Sequence, residues 1–134
     1  MGMYTELVIK ANIKREKPQE VDFILNFLFN PNSENDIWDE KMKIKTEIAL
    51  PDHAFFKCPR WTAIGRSNSY YHIPACCNFY DGVYLFSRSD LKNYDNEICL
   101  FLDWINPYLC EDAGDFIGWK WYEECNEPEF LYVK

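Results

Sequence analysis

A chain of 134 residues has room for one domain, taken here as residues 1–134, and little space for a second. Its hydrophobic share of 48% is ordinary for a globular protein and its aromatic share of 18% is high, while the lack of any run of about 18 apolar residues excludes a transmembrane helix. The net charge of −8 lies wholly in residues 93–134, with 10 acidic and 2 basic side chains against 12 of each in residues 1–92, which excludes the C-terminal third as a surface for a phosphate backbone.

Residues 3–13, MYTELVIKANI, alternate: Leu7, Ile9, Ala11 and Ile13 share one face and Glu6, Lys10 and Asn12 the other. Period two with one polar side predicts a half-buried strand. Pro18 suits a first helical turn, Glu20 and Asp22 suit the positive end of a helix dipole, and Val21, Ile24, Leu25 and Leu28 keep helical spacing up to the stop at Asn30-Pro31. A polar loop is expected over 31–40. Residues 41–50, KMKIKTEIAL, alternate again and predict a strand with a lysine-rich outer face.

No period holds from Pro51 to Asn68. Residues 69–77 and 82–88 then read as two strands joined at Asp81-Gly82, a hairpin signal. The second helix is expected within 93–109, capped by Asn93 or Asp95, burying Ile98, Phe101, Leu102 and Ile105 and closed by Pro107. Residues 116–125 and 129–133 complete a last hairpin, with the face carrying Ile117, Trp119 and Trp121 expected against the helices. The order β-α-β-β-β-α-β-β predicts an α+β fold, an antiparallel sheet with two helices on one face, ferredoxin-like or a related split β-α-β arrangement.

Six cysteines stand at positions 58, 76, 77, 99, 110 and 125. The N-terminal residues lack a basic region followed by an apolar stretch, so no secretory signal is expected and the thiols are read as reduced, in a cytoplasmic protein without membrane contact.

Three constellations bear on chemistry. His53 with Cys58 and His72 with Cys76 have spacings near those of a small zinc site, but the mixed ligand types and the absence of C-x-x-C argue against it, and no metal or cofactor is expected. A Cys-His nucleophile from Cys58 or Cys76 with His72 lacks a third group, and no glycine-rich phosphate loop is present, so catalysis is not expected. Recognition surfaces are the stronger readings. One is an acidic end made of Glu111, Asp112, Asp115, Glu124, Glu127 and Glu129, suited to a basic protein surface. The other is an arginine-aromatic loop with Arg60, Trp61, Arg66, Tyr70, Tyr71 and Arg88, residue types that grip anionic groups, stack on bases or anchor protein interfaces.

The segments LFSRSDLKNYDNEICLFLDWINPY and FIGWKWYEECNEPEFLY resemble small phage or prophage proteins of uncharacterised families. Among such proteins many block host defence proteins, anti-CRISPR proteins being the familiar case. The resemblance implies a phage-encoded inhibitor of a host nucleic-acid-handling or defence protein, acting by protein–protein contact. The alternative expectation is a nucleotide- or RNA-binding module that uses the arginine-aromatic loop.

Overall fold

The alternation of the first segment becomes strand β1 (Thr5–Asn12), in which Leu7, Ile9 and Ala11 are buried while Lys10 and Asn12 face solvent. The computed structural model describes residues 4–29, 50–65 and 76–134. The strand expected over 41–50 and most of that expected over 69–77 lie outside the described residues. After β1 come helix α1 (Gln19–Phe29), strands β2 (Cys76–Tyr80) and β3 (Tyr84–Leu91), helix α2 (Glu97–Ile105), and strands β4 (Phe116–Tyr122) and β5 (Glu129–Tyr132). The five strands form one antiparallel sheet in the order β2-β3-β1-β4-β5, with β1 at its centre. The class is therefore α+β.

Asp81 and Gly82 both take positive φ, 57° and 65°, as the hairpin signal requires, and join β2 to β3. Helix α1 buries Val21, Ile24, Leu25 and Leu28 as its spacing predicts. Helix α2 is capped from a distance: Asn93 Oδ1 accepts the Ile98 amide at 2.9 Å, and Glu97 Oε2 accepts the Asp95 amide at 3.2 Å. Leu102 is only half-buried, and Trp104 takes the inward position beside Phe101 and Ile105.

Both helices share one core with Leu7, Ile9, Ala11, Leu85 and Leu131 of a single sheet face. Two short 3-10 turns, Ala54–Lys57 and Trp61–Ala63, close that core with aromatic rings. Phe55 lies 5.5 Å from Phe101, Phe56 5.0 Å from Trp104 and Trp61 5.8 Å from Phe27, measured between ring centres. The first two pairs meet edge to face, which adds to the stabilisation from the area they bury.

The expected packing of the β4 tryptophans is reversed. Trp119 stands opposite Val8 and Trp121 opposite Glu6, both on the sheet face away from the helices. β1 decides this: Leu7 and Ile9 face the helices, so their β4 partners Lys120 and Gly118 face them too. Ile117 still reaches the core because it is the extra residue of a bulge between Phe116 and Gly118. Gly118 permits that bulge with a φ of 152°.

Candidate functional site: the open face of the sheet

The sheet face away from the helices carries Tyr80, Tyr84, Phe86, Phe116, Trp121, Phe130 and Tyr132, each between 38% and 65% exposed. One row crosses all five strands: Cys76, Arg88, Val8, Trp119 and Phe130 are successive partners. On the β2–β3 side Tyr80 stacks on Tyr84 at 6.3 Å. On the β4–β5 side Phe116 lies 5.6 Å from Phe130 and 6.0 Å from Tyr132. At about 200 Å² for each aromatic side chain, half exposed, the seven rings present on the order of 700 Å². The rings stand in groups on either side of β1, and their summed area approaches the roughly 800 Å² that a stable interface takes from each partner.

At the centre of this face one arginine is shared by two carboxylates. Arg88 Nε and Nη2 donate to Glu6 Oε2 at 3.0 and 2.7 Å, and Arg88 Nη1 lies 2.6 Å from Asp90, which is fully buried. Trp119 Nε1–H donates to Glu6 Oε1 at 3.3 Å, so Glu6 ties β1 to both neighbouring strands. Lys10 is the cation of this face that stands outside an ion pair, among the described residues.

Where β4 ends, a cavity of about 310 Å³ opens on this face between Glu6, Trp121, Glu123 and Cys125. The Trp121 indole is held by its N–H bond to the Cys125 carbonyl at 2.9 Å, and Glu123 Oε1 accepts the Tyr4 amide at 2.7 Å. Desolvation, then the carboxylates of Glu124 and Glu123, push the neighbouring Tyr122 phenol above its ordinary pKa.

A second cavity, of about 330 Å³, is lined by Lys92, Tyr94, Lys120, Tyr122, Cys125 and Glu129 among others. Lys120 contacts the Cys99 sulfur at 3.2 Å and Glu129 at 3.4 Å. Burial pulls its pKa down, but the Cys99 sulfur and Glu129 outweigh that and leave it raised. Lysine and glutamate there partly neutralise one another.

The six carboxylates expected at one acidic end are separated. Asp112 and Asp115 precede β4, and Glu111, near them in the chain, accepts the Asn12 amide at the far end of β1. Glu124 and Glu127 follow β4, and Glu129 opens β5. The seven residues of β4 put about 20 Å between the two groups.

The arginine-aromatic set is likewise dispersed. Trp61 is buried in the core, Arg60 sits 5.9 Å from the Tyr94 ring, and Arg88 belongs to the open face. Arg66, Tyr70 and Tyr71 lie outside the described residues. Of the four candidate zinc ligands, His72 and the Cys76 side chain also lie outside them. His53 has both ring nitrogens engaged: Nδ1 accepts the Phe55 amide at 3.1 Å, so Nε2 carries the proton and faces Asp103 at 2.9 Å. Cys58 is buried, its sulfur 3.7 Å from the carbonyls of Ala54 and Asp95, and burial followed by Glu97 and Asp95 pushes its thiol pKa up. Among the described residues no group of three metal-ligating side chains is present.

Sequence reasoning missed the open face because both sides of β3 mix polar and apolar residues. Its helix side carries Leu85, Ser87, Ser89 and Leu91, and its other side carries Tyr84, Phe86, Arg88 and Asp90. The readable signal was the shared phase of Tyr84, Phe86 and Tyr80 about the Asp81-Gly82 turn. Comparison of the chain with known protein families, with functionally described proteins and with solved structures finds no match.

Proposed function

We propose that this chain is a non-catalytic binding protein whose partner, a protein with a basic surface, docks on the open aromatic face of the sheet. The observation that carries the reading is the gathering of seven exposed rings on one face, with an area near that of a stable interface. The carboxylate excess of residues 93–134 supports a basic partner. A phage-encoded inhibitor of a host nucleic-acid-handling or defence protein is the specific form suggested by the two resembling segments. Direct nucleic-acid binding is the weaker alternative, because Arg88 is held by Glu6 and Asp90 and leaves Lys10 to meet phosphates on this face.

The antiparallel order β2-β3-β1-β4, with α1 following β1 and α2 following β3, supports a ferredoxin-like assignment extended by β5. Among the described residues no helix is long and apolar enough to cross a membrane. The thiols of Cys58, Cys99, Cys110 and Cys125, outside any disulfide among the described residues, support a reducing, cytoplasmic compartment.

The test compares capture of partners from host cells by the wild-type chain and by a Tyr84→Ser/Phe130→Ser variant, both shown to be folded by circular dichroism. A partner bound by the first and lost by the second supports the docking face. A partner kept by both sinks it.

A further inference from the structure

The cavity where β4 ends combines three features that meet nowhere else among the described residues: an exposed indole fixed in orientation, two carboxylates, and space open to solvent. Trp121 is 38% exposed and pinned through its N–H, so its ring is a preset wall. Glu123 spends Oε1 on the Tyr4 amide and has no hydrogen bond at Oε2. Glu6 is spent on Arg88 and on the Trp119 N–H, so the free acceptor in the cavity belongs to Glu123. Beyond the cavity the chain continues through Glu124 and Glu127, two further carboxylates after β4.

A planar cation satisfies all of these at once. A guanidinium stacks on an aromatic face and offers a fork of donors to a carboxylate. An ammonium satisfies the charge but neither the stacking nor the fork. A phosphate or carboxylate ligand meets only repulsion.

We infer that the pocket between Trp121, Glu123 and Glu6 receives an arginine side chain of the docked partner, with the guanidinium flat on the Trp121 indole and its fork on Glu123. This rests on the protein-binding reading of the open face and names the chemistry the partner presents there. A pocket of about 310 Å³ accommodates one such side chain.

The probe is capped arginine, N-acetyl-arginine methylamide, titrated into isotopically labelled protein at constant ionic strength, with the capped lysine and capped glutamate derivatives as controls. The Trp121 indole N–H resonance is identified by its loss in Trp121→Phe. It is expected to move with the arginine derivative, to move less with lysine and to stay still with glutamate. Glu123→Gln should weaken the response about three- to tenfold, and Asp112→Asn should leave it unchanged. No movement, or equal movement with arginine and lysine, overturns the proposal. Capture experiments separate this failure from that of the docking face. A partner lost on Tyr84→Ser/Phe130→Ser but kept on Trp121→Phe and Glu123→Gln overturns the pocket alone. A partner kept by all of these variants overturns the docking face, and the arginine inference with it.

Discussion

Gly118 lies directly against the backbone of Val8, so that a β-carbon added at Gly118 would overlap the Val8 carbonyl oxygen. The close approach occurs where the β4 bulge throws Ile117 inward and Trp119 outward, and it sets which rings of β4 face the solvent. Gly118→Ala therefore meets a forbidden φ and a steric overlap together. We expect a loss of about 3 kcal/mol or more, read as a lower urea midpoint. An unchanged midpoint would mean that the bulge is not held as described.

Arg88 pairs with two carboxylates, one of them fully buried. Removing the cation leaves both without it, and the cost exceeds what the pair itself contributes. Arg88→Met should destabilise by about 2–4 kcal/mol, and adding Asp90→Asn should recover part of that loss. Equal stability of Arg88→Met and wild type in urea would refute the network's role.

The Cys58 thiol, pushed up by burial and then by Glu97 and Asp95, holds its proton more tightly folded than unfolded. Above the unfolded thiol pKa, about 8.5, the native state therefore binds more protons than the unfolded state, and stability falls as pH rises. The raised Lys120 and Tyr122 act in the same direction at higher pH. Thermal midpoints from about pH 8 to 10 should decline, and Cys58→Ala should flatten the first part of that decline. A parallel decline in the variant would remove Cys58 as a cause.

Tyr84 and Phe130 are each more than half exposed. Replacing either with Ser should change stability by less than about 1 kcal/mol and reduce binding of a hydrophobic fluorescent dye. A loss above about 2 kcal/mol would show that these rings hold the fold instead of meeting a partner.

The separated carboxylates allow a paired charge test. Glu124→Lys/Glu127→Lys should weaken partner binding and its salt dependence, since these residues follow β4 at the end that carries the arginine pocket. Asp112→Lys/Asp115→Lys, at the other end of β4, should leave both nearly unchanged. Equal effects from the two pairs would mean that general charge, not this corner, governs binding.

Much of the local structure was legible in the residues themselves. Period two at 5–13, helical spacing at 21–28 and the Asp81-Gly82 turn depend on neighbours within a few positions, and each forms as expected. The α+β class follows from the same local signals. What only the tertiary structure decided was which side of each strand became the core. A strand presents two faces one residue apart in phase, and β3 and β4 carry large side chains on both. Hydrophobicity alone assigns the tryptophans inward. The register against Leu7 and Ile9 of β1 assigns them outward, and the bulge at Ile117 supplies a β4 side chain to the apolar core. The acidic residues were readable as a count, but their division into two groups depends on the direction of β4, which the pairing with β1 fixes. The candidate site therefore arises from long-range strand pairing, and no short window of the sequence contains it.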